Sequence, residues 1–113
     1  MFVRADLPLA QQAVQAVHAS IQASRVFLKP EDQHPNLVLL SVANERELLE
    51  ARDKANSYGI FATTFYEEDI GDQPTAVATE PVAGKRRNAF RHYKLFDGTK
   101  FPELGLPPLG KSV

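Results

Sequence analysis

Gln11, Gln15, His18 and Gln22 recur at intervals of four, three and four, which puts them on one face of a helix. Further along, Glu67, Glu68, Asp69 and Asp72 crowd one short loop that leads into Thr75-Ala-Val-Ala-Thr79. Hydrolysis of an ester needs a positioned water, a base for its proton and donors for the developing oxyanion. His18 or an acid between Glu67 and Asp72, including Asp69, can serve as that base. Gln15 and Thr75 can position water or the carbonyl. The same residue types also suit a surface that only binds. Each has a plainer reading too: His18 as a half-buried histidine bonded to backbone, Gln11 and Gln22 as a solvated helix face, and Thr75 as a β-former. The acids can simply keep an edge strand soluble.

Other chemistries have less support. Cysteine is absent, which removes disulfides, thiolate nucleophiles and thiolate metal sites together. His18, His34 and His92 are scattered, so no metal site and no cofactor are expected. No glycine-rich phosphate loop occurs, and no Gly-x-Ser-x-Gly elbow. The net charge of −1 argues against nucleic-acid binding through bulk charge. Locally, however, Lys85, Arg86, Arg87, Arg91 and Lys94 form a basic block with no acid between Glu80 and Asp97. Such a block holds phosphates or is an ordinary solvated face.

The elements that would position these groups can be read from periodicity. Met1 to Ala5 is β-compatible and is stopped by Asp6-Leu-Pro8. Ala10 to Phe27 reads as a helix. Val14, Val17 and Ile21 form its apolar stripe, and Ala13, Ala16, Ala19, Ser20 and Ala23 a small-residue face suited to close backbone approach. Asn36 to Val42 is an apolar run, expected as a strand buried on both faces. Asn44 with Glu47 has capping-box spacing, and Gly59 closes the helix they open. Ile60 to Tyr66 and Thr75 to Thr79 read as strands, and Gly84 to Tyr93 as a short basic helix anchored by Phe90. The expected architecture is a compact α/β three-layer sandwich, with a mixed sheet of about four strands flanked by helices. One domain over 1–96 is followed by an extended Pro/Gly/Leu-rich tail over 97–113. No membrane span is expected, and Arg4 and Asp6 arrive too early for a signal peptide, so a cytoplasmic protein is expected.

Val3-Arg-Ala-Asp-Leu7, followed by a helix with Gln15-Ala-Val-His18-Ala19, resembles the opening of the archaeal and eukaryotic type (second class) of peptidyl-tRNA hydrolase. Asn44-Glu-Arg-Glu-Leu-Leu49 is similar to that family's second helix, Thr75-Ala-Val-Ala-Thr-Glu-Pro81 to its last strand, and Tyr93-Lys-Leu-Phe96 to its closing segment. The resemblance implies cleavage of the ester between a peptide and tRNA, without a metal, by a four-stranded α/β domain that is often a homodimer. It implies roles for Gln15, His18 and Thr75 at the site. It also implies tRNA as partner, with Arg86, Arg87, Arg91 and Lys94 on its phosphates and Arg4 nearer the site. The family's lysine before the first helix falls on Gln11, its aspartate on Thr63, and its cysteine on Ala16. A catalytically lapsed member that binds RNA, a nucleotide or a protein is the alternative. The tail leucines Leu104, Leu106 and Leu109, with Phe101, are expected to contribute to the dimer.

Overall fold

The structure is a computed structural model that describes residues 1–99 and 101. Five strands form one mixed sheet in the order β3-β4-β1-β2-β5. β1 (Phe2–Arg4) is central; it pairs parallel with β2 (Leu40–Val42) and antiparallel with β4 (Gln73–Thr79). β3 (Ala62–Glu67) forms one edge and β5 (Lys94–Leu95) the other. The parallel β1–β2 pair requires a crossover, and α1 (Leu9–Phe27) supplies it. α2 (Glu45–Ser57) connects β2 to β3.

Alternation along the strands sends side chains to two separate clusters. Val3, Ala76 and Ala78 pack with Ala19 of α1, joined by Phe65 and Phe96. Phe2, Leu40, Val42 and Val77 pack with Leu48 and Ala51 of α2, joined by Phe90 and Tyr93. The helices therefore lie on opposite faces of the sheet. Phe2 makes an edge-on contact with Tyr93 at 4.9 Å, which ties the last strand to the first.

α2 follows the sequence closely. Asn44 Oδ1 accepts from the Glu47 N–H at 3.0 Å, and Glu47 Oε1 accepts from the Ala43 N–H at 2.9 Å. The box closes one residue earlier than the usual reciprocal pair. Gly59, at φ +74°, ends the helix in the left-handed region.

Four expectations change. The apolar run from Asn36 pairs only at Leu40–Val42; Leu37 and Val38 are exposed, so this is a three-residue strand. Lys94–Leu95 adds a fifth strand, since its register on Leu40 and Ser41 depends on a long-range partner that local pattern cannot show. The basic segment is a 3-10 helix over Gly84–Phe90, with Phe90 as the apolar anchor read from the sequence. The largest change is in α1: Val14, Val17 and Ile21 are exposed, and Gln12, Gln15, Ala16 and Ala19 face the sheet. The small residues of β4 leave room only for a small helix face, so the alanines win the contact over the bulkier valines.

Phe96 packs in the cluster beneath α1, and Gly98 lies against the Leu9 side chain. The extended tail expected from residue 97 lies, apart from residues 97–99 and 101, outside the described residues, as do Leu104, Leu106 and Leu109. Among the described residues no helix is long and apolar enough to cross a membrane.

Asn44→Ala should cost about 1 kcal/mol by removing a helix cap, and Leu48→Ala about 2–5 kcal/mol by opening a cavity under α2. Urea unfolding of the two variants checks the ranking; equal losses would mean that α2 is not docked as described.

Candidate functional site

α1 runs antiparallel to β3, and the two meet in three rungs. Gln22 donates to Thr63 Oγ1 and to the Thr64 carbonyl at the lower end. His18 stacks on Phe65 in the middle, with ring centres 4.7 Å apart and planes 8° from parallel. Gln15 Nε2 donates to Glu67 Oε1 at 2.8 Å at the upper end. Helix positions three and four apart thus meet strand positions two apart, which explains the polar stripe seen in the sequence. Gln11 extends it by one turn, its Oε1 accepting from Gln15 Nε2 at 3.2 Å.

The fourth participant, Thr75, arrives by an irregularity in the sheet. Phe65 pairs with Ala76, but Tyr66 pairs with Pro74, so Thr75 is an extra residue in β4. Simple alternation would send Thr75 to the α2 side with Val77. The bulge turns it toward α1 instead, where its hydroxyl donates to Gln15 Oε1 at 2.7 Å. Pro74 suits the bulge because it has no N–H to pair. Its carbonyl accepts from Arg4 Nη1 at 3.1 Å.

Gln15 and Thr75 are both fully buried. Their hydrogen-bond directions follow from chemistry alone. An ionised carboxylate only accepts, so the Gln15 NH₂ must point to Glu67. That leaves Gln15 Oε1 for Thr75, whose hydroxyl must donate. The Thr75 proton is therefore committed, and its lone pairs remain free to accept. The Gln15 bond is also the main reason the Glu67 carboxyl lies below the usual glutamate range; backbone N–H groups and nearby His18 add to it, against some desolvation. With its carbonyl and both amide hydrogens engaged, Gln15 positions its neighbours and does not itself reach substrate.

The other predicted residues separate into groups. Glu68, Asp69 and Asp72 are exposed, and none of their side chains bonds α1. Asp69 contributes its N–H to Glu67 Oε2 at 3.4 Å. Arg4, expected near substrate, is instead a buried structural pin. It grips both Asp6 carboxylate oxygens at 2.9 and 2.8 Å, donates to Gln73 Oε1 and Pro74 O, and has Glu45 at 3.6 Å. Asp6 foremost, with Glu45, raises its pKa against the burial that lowers it. Arg86 is held by Glu80 and the Gly59 carbonyl. Arg87 and Arg91 are exposed and make no side-chain hydrogen bond or ion pair among the described residues. They line a groove of about 1140 Å³ that reaches Phe27 and the lower end of β4, whereas Thr75 sits near its upper end. The fold therefore does not bring the arginines to the Gln15 cluster. A smaller hollow of about 360 Å³ lies lower on α1, bordered by His18, Gln22, Arg25 and Phe65 and not by Gln15, Glu67 or Thr75.

Sequence reading missed Gln12. It is buried and donates to the Ala5 and Leu7 carbonyls, fixing the β1–α1 turn, while its Oε1 is buried without a partner. Its position on the sheet side of α1 could be found only by rejecting the valine stripe as the packed face. It also missed the bulge, which Pro74 beside Thr75 signals weakly. Among the described residues no group of three or more His, Asp or Glu side chains is placed to hold a metal.

Gln15→Leu and Thr75→Val should each cost about 1–3 kcal/mol, because each strands a buried polar partner, and the double variant should cost less than their sum. Urea unfolding reads the cycle; strict additivity would break the proposed bond. Acid should narrow the gap between wild type and Gln15→Leu. A lowered folded pKa stabilises above the ordinary glutamate value, and that share disappears as pH falls through the folded one.

The chain matches no family model, and no curated protein is significantly similar to it.

Proposed function

We propose that the chain is an ester hydrolase acting on peptidyl-tRNA or a related aminoacyl ester in the cytoplasm. The observation that carries this reading is the buried Gln15 bridge, which joins α1, β3 and a bulged β4 residue one helical turn from His18, at the edge of a small hollow. The ordered resemblance of residues 2–96 to the second class of peptidyl-tRNA hydrolases supports it, because Gln15 and Thr75, two positions carried over from that family, meet here. In this reading His18 takes the proton of the attacking water, since imidazole accepts protons near neutral pH. Glu67, held ionised, is the weaker base. It stabilises the imidazolium and orients the water. Thr75, buried behind Gln15, acts at one remove by fixing the amide that holds Glu67.

Arg87, Arg91 and Lys85 serve in this scheme as contacts to the body of the tRNA, at a distance from the ester. One observation favours the binding-only alternative. The position where the family has its lysine is Gln11, and the nearby Arg4 has its guanidinium donors engaged. No cation from these positions is free to neutralise an oxyanion.

Release of N-acetyl-amino acid from N-acetyl-aminoacyl-tRNA tests the reading. Wild type should release it, and His18→Ala and Glu67→Gln should each slow release by about 10²-fold or more. Wild type that binds tRNA without releasing product would favour the alternative. In either reading, Arg87→Glu with Arg91→Glu should weaken tRNA binding and flatten its salt dependence.

A further inference from the structure

Contacts to tRNA phosphates account for Arg87 and Arg91 but leave the rest of the groove they line unexplained. Its lining is largely aliphatic. Leu37, Val38 and Leu95 are exposed by 72%, 50% and 65%, with Val82 and Leu28 in the same groove. Single exposed apolar residues are ordinary; several sharing one concavity mark a binding site. Leu40 and Leu95, paired across β2 and β5, line it together with Thr79 at the end of β4. The groove therefore crosses the lower ends of the strands, from Phe27 at the end of α1 to the 3-10 helix. Its volume of about 1140 Å³ is slightly above the roughly 300–1,000 Å³ of ordinary small-molecule sites.

The charges in the lining select the ligand. Arg87 and Arg91 are exposed and unpaired among the described residues. Glu80 is the one carboxylate among the described lining residues, and it is occupied. Its Oε2 accepts from the Phe61 N–H at 2.8 Å and from Arg86 Nη2 at 3.2 Å. An aliphatic groove thus carries two free guanidinium groups, each able to grip a carboxylate through two parallel N–H···O bonds. An alkyl chain ending in a carboxylate complements both features. A nucleobase fits less well, because Phe27, Phe90 and Tyr93 are partly buried and the last two pack on Phe2. A bilayer fits less well too, since attachment by charge takes about four to eight cations and two arginines line this groove.

We infer that this groove binds a long-chain carboxylate, with the alkyl chain on Leu37, Val38 and Leu95 and the head on Arg87 and Arg91. The site lies toward the other end of β4 from the Gln15 cluster and does not depend on the hydrolase reading. Where that reading holds, the carboxylate and the tRNA phosphates compete for the same two arginines, so the ligand opposes tRNA binding.

Calorimetric titration of the full chain with dodecanoate below its micelle concentration, with no tRNA present, tests this. Binding should saturate at one dodecanoate per chain. Octanoate should bind about tenfold or more weakly, because four fewer methylenes are buried. Dodecyltrimethylammonium, with the same chain and the opposite charge, should not saturate the site. Arg87→Ala with Arg91→Ala, and separately Leu37→Asp, should each weaken dodecanoate by about tenfold or more. All three positions are exposed, so both variants should keep the wild-type circular dichroism. Absence of saturable binding would overturn the inference, whether or not phospholipid vesicles bind. So would an affinity independent of chain length or of the sign of the head group, or one unchanged in both variants. Binding that appears only after deletion of residues 102–113 would also overturn it, by giving the groove to the chain's own tail.

Discussion

A buried amide with every hydrogen-bonding group occupied controls this structure. Gln15 lies under α1 with Thr75 on its oxygen and Glu67 and Gln11 on its nitrogen. Losing any buried partner would leave a desolvated polar group, at about 1–3 kcal/mol, so the three elements are mutually constrained. The helix must keep its register on β3, or Gln22, His18 and Gln15 lose Thr63, Phe65 and Glu67 together. β4 must keep its bulge, or Thr75 points to the wrong face. Arg4 braces the same place from beneath by holding Gln73 and the Pro74 carbonyl.

The two helices are held by different means. α2 buries Leu48 with Ala51 and Ala55, and a buried leucine contributes roughly 1.5–3 kcal/mol. α1 buries Ala16 and Ala19, each a single methyl worth roughly 0.8 kcal/mol, along with two glutamines. Hydrogen bonds therefore supply a larger share of the attachment of α1. A helix attached mainly through polar contacts on one side and apolar on the other is poorly matched to water as its second neighbour.

What the sequence disclosed follows from what is local. The Asn44 cap, the Gly59 stop and the period of α2 depend on neighbours in the chain, and all three were readable. The polar stripe Gln11–Gln15–His18–Gln22 was also readable as one helix face. Its partners Thr63, Phe65 and Glu67 alternate in β3 but carried no sign of which helix they face. The valine stripe misled because hydrophobicity alone does not decide which face packs: Ala76 and Ala78 on the sheet select small residues opposite. The extra residue at Thr75 and the fifth strand depend on pairing at long range. Charge alone does not say how far Arg87 and Arg91 lie from Gln15; β4 runs from Thr75 near one end to Thr79 at the other, and the groove they line meets it at that other end.

The account depends most on Glu67 being bound to Gln15. Carbon-detected NMR titration of the Glu67 carboxyl, in wild type and in Gln15→Leu, addresses that bond directly. The wild-type midpoint should fall below the ordinary glutamate range and move back toward it in the variant. An ordinary midpoint in wild type, or a low one unchanged by Gln15→Leu, would contradict the bridge on which the site is built.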